Sequence, residues 1–220
     1  MTGTEVTALQ ITVTAPVVSF RNPLYAGVQV TLPCPPPATV GGLLAAAAGG
    51  WEQVNPELRF AMAFHAGGKA VDLETYHPLD ASGKKASPAP RNREFLTAAE
   101  LTVWLVDDPE GWQRRLRRPV WPLRLGRSQD LVGIRTGLVP LRAEPGEQRS
   151  AVVPETAGRM GTLLRLPTAV SGGRDRTRWD SYRFDSSGRS DHVVVGGWST
   201  AGGQAVILLP SAHPDTVARS

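Results

Sequence analysis

Two short helix signals, each set between strand-like runs, constrain this chain more than any other feature. In the first, Thr39 stands as N-cap before Val40-Gly41-Gly42-Leu43-Leu44 and a run of alanines, and Gly49-Gly50 closes the segment. In the second, Asp107-Asp108-Pro109-Glu110 supplies an Asp cap, a proline at the first helical position and an acid in the first turn; this helix stops at Pro119. Strands lie around them. Residues 6–14 alternate Ala8, Gln10, Thr12 and Thr14 against Leu9, Ile11 and Val13, a period of two, and Pro16 marks the end or an edge. Residues 58–65 are apolar on both faces, Gly67-Gly68-Lys69 reads as a turn, and residues 70–76 read as a hairpin partner. Residues 99–106 form another strand, and residues 121–137 supply one or two more around Gly126-Arg127-Ser128-Gln129-Asp130. The order strand, helix, strand, insertion, strand, helix, strand predicts an α+β chain with the split βαββαβ arrangement of a ferredoxin-like or RNA-recognition (RRM) fold.

That domain is expected over residues 1–138. Residues 139–220 read as a small β-rich C-terminal region, with a hairpin of 179–184 against 192–195 and a last strand at 204–209. The 23 glycines and 19 prolines are about a fifth of 220 residues, below the roughly 25–30% that marks low-complexity disorder. The longest apolar run, 40–51, is too short to span a bilayer, and Glu5 stands where a signal peptide would carry bases, so a cytoplasmic protein without membrane contact is expected. Cys34 is the sole cysteine, which excludes an internal disulfide framework and a cysteine metal site.

Charge narrows the function. The formal net charge is +4, but residues 81–135 alone carry eleven Lys/Arg against six Asp/Glu. Arginine dominates, 21 to 3 over lysine. Part of this follows from a composition rich in alanine, glycine and proline, yet the guanidinium fork suits phosphate and a local basic excess suits a polyanion. Exposed amides at the start of the Thr39 helix, with small residues Gly41 and Gly42, offer an anion site. His65, Asp72, Glu74 and His77 cluster in sequence without a recognised ligand spacing, so no metal and no other cofactor is expected. P-loop, G-x-G-x-x-G and G-x-S-x-G motifs do not occur. Arginine and aromatics interleave over 176–184, a pattern that fits base stacking, a cross-strand ladder or a protein interface equally.

Phe20-Arg21-Asn22-Pro23, Pro36-Pro37-Ala38-Thr39-Val40-Gly41-Gly42-Leu43-Leu44, the run at 57–68 and Gly126-Arg127-Ser128-Gln129-Asp130 occur in that order. Together they resemble the fifth family of CRISPR-associated proteins over roughly residues 6–138. In that family the subunit holds the 5′ handle of the guide RNA (crRNA) in type I Cascade complexes. The resemblance implies an RNA-recognition-type (RAMP) domain with a β-hairpin thumb inserted at about 67–98. It also implies a non-catalytic role in antiviral defence, beside the backbone and large subunits, with target DNA met through the complex. Arg21, Asn22, Thr39, Gly41, Arg127, Ser128 and Gln129 are then the handle contacts, followed by Lys84, Lys85, Arg91 and Arg93 of the thumb.

Two other readings stay open. Some members of the family cut precursor RNA without metal, and Tyr76-His77 echoes their histidine and tyrosine, but no lysine stands close by. The third reading is a protein-only scaffold whose basic surface meets an acidic partner. Lys84 and Lys85 fit a solvated loop as well as a phosphate contact, and Arg114-Arg115-Leu116-Arg117-Arg118 spreads around a helix end, where it favours the dipole.

Overall fold

The structure, a computed structural model, describes residues 5–25, 29–76 and 89–217. The first half is built from β1 (Glu5–Val18), α1 (Pro37–Ala48), β2 (Ala61–Tyr76), β3 (Ala89–Leu105), α2 (Pro109–Arg117) and β4 (Gly133–Arg142). Shorter strands come after them: β5 (Gly146–Glu147), β6 (Ala151–Pro154), β7 (Thr162–Val170), β8 (Thr177–Phe184), β9 (Val193–Val194), β10 (Trp198–Ser199) and β11 (Ala205–Val206). Nine of the strands form one sheet in the order β11-β10-β4-β1-β3-β2-β6-β8-β7, and β5 pairs with β9. Every ladder between these strands is antiparallel, so the chain is α+β.

The alternation of β1 sorts its side chains. Leu9, Ile11 and Val13 are fully buried beneath the helices with Val40, Leu43, Leu44, Trp112 and Leu116, while Gln10, Thr12 and Thr14 lie on the opposite face. α2 starts as its sequence dictates: the Asp108 carboxylate accepts from Gly111 N at 3.1 Å, and Pro109 needs no donor in the first turn. Cys34 is buried, and burial pushes its thiol well above the ordinary range, the setting of a packing residue.

Several local expectations are corrected. Of the two readings of Pro16, the edge holds and the end does not: beyond Thr14 β1 has left β4 and runs on to Val18, so the donor that proline lacks breaks no ladder on that side. Gly67-Gly68 is not a turn either. The β2–β3 ladder passes from Ala66↔Ala99 to Gly68↔Thr97, stepping over Gly67 and over Ala98, whose φ is 46°. The β1–β3 ladder skips Pro16 at the same level. The pairing is interrupted at one level across three neighbouring strands with the register unchanged, and beyond it β2 and β3 run on together as far as Tyr76↔Ala89.

A division at 138 falls inside β4. The later strands extend the sheet from both sides: β6 pairs with β2, β10 with β4, and Leu209 N donates to Phe60 O. Leu166, Tyr182, Phe184 and Leu209 pack in the same core as Leu9. β8 pairs with β7 and β6 rather than with residues 192–195. Its arginine–aromatic pattern is structural at Tyr182, fully buried with its hydroxyl 2.6 Å from Thr168 Oγ1, and at Arg178, whose Nη2 donates to Ser211 O. Burial pushes the Tyr182 hydroxyl up to about 12.

Candidate nucleic-acid interface

The loop leaving β1 folds back on itself. Leu32 N donates to Phe20 O and Asn22 N to Val30 O, while Asn22 Oδ1 accepts from Leu24 N in an Asx turn. Asn22 therefore shapes the loop with its side chain, and the exposed Arg21 is left facing outward with no ion pair among the described residues. Across from it α1 begins. Arg21, Pro23, Pro36, Ala38 and Thr39 line an open cleft of about 630 Å³ whose far wall is Pro167 and Val170 of β7. The structure thus joins Arg21 and Thr39, 18 residues apart in sequence.

The chemistry of that cleft differs from the expected anion cradle. Pro36, not Thr39, is the N-cap, and no side chain caps the helix. Pro37 has no donor, and the amides of Thr39 and Val40 both turn to Pro36 O, at 2.9 and 3.3 Å. The polar side chains this cleft could turn to an anion are then the Arg21 fork and the Thr39 hydroxyl, beside the Ala38 amide and the prolines. Gly41 is corrected outright: it is buried, and a Cβ there would lie 2.7 Å from Ala212 Cβ and 3.0 Å from Trp51. Its missing side chain makes room for the C-terminal segment, not for a ligand.

Gly126-Arg127-Ser128-Gln129-Asp130 is a turn rather than a strand. Gly126 holds φ +98°, and a Cβ would sit 2.6 Å from Ser19 O, so only glycine lets the turn close on the end of β1. Asp130, 4% exposed at its side chain, organises the turn: it accepts from Ser19 N, Arg127 N and the Arg127 guanidinium. Arg127 is drawn inward, its Nη1 buried without a hydrogen-bond partner among the described residues, which makes it a positioning residue of the turn rather than an exposed phosphate contact. Ser128 and Gln129 remain exposed at the tip.

The hairpin carries the remaining predicted positions. Register sets Asp72 opposite Arg93 and Glu74 opposite Arg91. Arg93 Nε donates to Asp72 Oδ1 at 2.9 Å and Nη1 lies 3.2 Å from Glu74 Oε1; its side chain is 15% exposed. Gln29 Nε2 donates to Glu74 Oε2, and Glu94 N to Gln29 O, which ties the β1 loop to the hairpin. Arg93 is thus internally neutralised, contrary to its expected phosphate contact. Its hydrogen bond holds the Asp72 carboxyl below the usual range against the opposing effect of burial. Arg91 is exposed. Lys84, Lys85 and His77 lie outside the described residues, and the Tyr76 side chain is not described.

Two features escaped the sequence reading. Lys69 bridges Glu94 at 2.9 Å, and its hydrogen bond lowers the Glu94 carboxyl; Glu94 also accepts from Thr31 N. The second is the inward pair of Arg127 and Asp130, for which the Arg-x-x-Asp spacing was the available signal. Among the described residues no three or more His, Cys, Asp or Glu side chains group to hold a metal, and no helix is long and apolar enough to cross a membrane.

This cleft, the turn and the hairpin occupy the stretch that the motifs mark. A family model described as CRISPR-associated protein (Cas_Cas5) matches residues 8–194. The chain belongs to that family. The match runs far past residue 138 and takes in β5 to β9, consistent with the place of β6, β7 and β8 in the same sheet. A chain of a CRISPR RNA-guided surveillance complex is similar in fold, with a TM-score of 0.55 at 17% identity, over 95% of this chain and 96% of that one. A chain of the Type III-B Cmr-beta structure, bound to cognate target RNA and AMPPnP, gives a TM-score of 0.57 at 7% identity, covering 84% and 85%. A CRISPR protein from Archaeoglobus fulgidus gives 0.50 at 16% identity, covering 93% and 99%. At these identities the likeness is one of fold. No curated protein matches the chain by sequence.

Proposed function

We propose that this family member is an RNA-binding subunit of a CRISPR surveillance complex of the Cascade type, in the cytoplasm, and that it holds the 5′ handle of the guide RNA without cutting it. The observation that carries the reading is the cleft that Thr39 lines together with Arg21, which has no ion pair among the described residues. A guanidinium, a hydroxyl and proline walls suit a single-stranded backbone, with phosphate contacts for position and base contacts for sequence. Three things support it further. Membership of the family does, and so does a relative in an RNA-guided surveillance complex covered over 96% of its length. The order β4-β1-β3-β2, with a helix after β1 and after β3, agrees with an RNA-recognition-type domain and its hairpin insertion. In the complex the subunit would sit beside a backbone subunit and the large subunit, meeting target DNA only through the assembly.

Purified protein and 5′-labelled repeat-derived RNA, run on native and denaturing gels across salt, test the reading. Handle RNA is expected to shift at lower protein concentration than a scrambled oligonucleotide and to stay intact, and Arg21→Gln is expected to weaken the shift. Cutting that persists in EDTA and is lost in His77→Ala would replace capping by endonuclease activity. Equal shifts of handle and scrambled RNA would remove the handle role.

A further inference from the structure

The far end of α1 carries a second basic surface that the handle reading does not use. Arg114, Arg115, Arg117 and Arg118, at the end of α2, are all exposed, and none forms an ion pair with a described residue. Arg114 and Arg117 are spaced i,i+3, a like-charge arrangement that costs a helix stability. Offsetting the α2 dipole accounts for part of this charge. It leaves the adjoining strap unexplained. There Val120 and Trp121 are 61% and 59% exposed, bracketed by Pro119 and Pro122. The strap is pinned, Val120 N donating to Ala47 O and Trp121 N to Ala46 O. Fixed prolines and two backbone bonds leave this segment little freedom to lose on binding. Arg115 lies over the Trp112 ring at 4.9 Å. That leaves an exposed indole on a pinned backbone beside guanidinium groups with no ion pair among the described residues. This is the combination by which proteins hold unpaired strands: cations for phosphates and an aromatic face for a base.

We infer that this α2–strap surface docks a single-stranded polynucleotide, stacking one base on Trp121 and seating flanking phosphates on Arg117 and Arg118. Ala46 and Ala47 lie seven and eight residues beyond Thr39 on α1, so the surface is separated from the Arg21–Thr39 cleft by roughly 12 Å of helix. The inference stands independently of the handle reading. Residues 114–122 carry no side-chain acceptor for the proton of a 2′-hydroxyl, so little discrimination between DNA and RNA is expected of the surface. An acidic protein segment is the competing occupant. It has less use for an exposed indole among arginines.

The test is fluorescence anisotropy of the full chain with labelled dT12, repeated across salt. Trp121→Ala is expected to weaken dT12 about tenfold, within the range of one lost stack, and Trp121→Phe to restore most of the affinity. Arg117→Gln with Arg118→Gln is expected to lower the slope of log affinity on log salt by about 1.4, two phosphates at about 0.7 each. Each of these measurements is made in the Arg21→Gln background, so that the cleft's phosphate contact does not contribute, and U12 should compete there as well as dT12. The inference is overturned if Trp121→Ala leaves dT12 affinity unaltered, if U12 binds more than tenfold tighter than dT12, or if a twelve-residue poly-glutamate displaces dT12 as well as dT12 itself does. Because handle RNA is not a probe here, failure of the cleft reading would leave these outcomes readable.

Discussion

Asp130 is the residue on which the turn at 126–130 depends. Its buried carboxylate takes the Arg127 guanidinium and the amides of Ser19 and Arg127, so removing either charge strands the other. Arg127→Ala is therefore expected to destabilise the protein by about 1–3 kcal/mol, the cost of an unsatisfied buried polar group, read as a fall in the urea midpoint at unchanged m-value. An unchanged midpoint would make Arg127 an ordinary surface charge. Gly41 gives a second prediction at this scale. Gly41→Ala places a Cβ against Ala212 and should cost about 1–3 kcal/mol through overpacking, while RNA affinity per folded molecule stays constant. Loss of RNA affinity without loss of stability would return Gly41 to the interface. Sequence alone named both residues for the wrong reason. A glycine in a first helical turn reads the same whether a ligand or Ala212 approaches it, and an arginine in a motif does not reveal whether a buried carboxylate claims it.

At the scale of elements, the β2–β3 hairpin is bound to the β1 loop by charges: Arg93 to Asp72 and Glu74, Glu74 to Gln29, and Glu94 to Lys69 and Thr31. The Asp72 and Glu94 carboxyls lie below their ordinary ranges, in each case chiefly through a hydrogen bond from the cation. A folded-state value below the unfolded one means that the pair stabilises fully above the ordinary carboxylate range, near about 4, and that this stability is lost as pH falls through the folded value. A carboxyl NMR titration should find the Asp72 midpoint below about 3.9, rising toward that value in Arg93→Gln. A midpoint unmoved by Arg93→Gln would remove the pairing. The strand signals of β1, β2 and β3 and the cap of α2 were legible because period, apolar runs and capping are local. The paired face of the hairpin was not. Gly67-Gly68 reads locally as a turn, yet β2 passes straight through it with its register on β3 unchanged, which puts Asp72 opposite Arg93.

For the whole molecule, residues beyond 138 are not an appendage. They extend the sheet on both sides and supply Pro167 and Val170 to the cleft, a long-range closure that no spacing in the sequence announces. For the RNA of the proposed function the sheet offers two faces. One holds the helices and the Arg21–Thr39 cleft. The other presents Gln10, Thr102 and Trp104 under the turn at Thr200 and Gln204, around a polar cleft of about 500 Å³. Cross-linking of 4-thiouridine-substituted handle RNA to the full chain, mapped by mass spectrometry, decides between them. Adducts on peptides holding residues 21–25 and 36–40 are the result predicted here. Adducts confined to peptides around Gln10, Thr102 and Thr200, with none near Arg21, would contradict it.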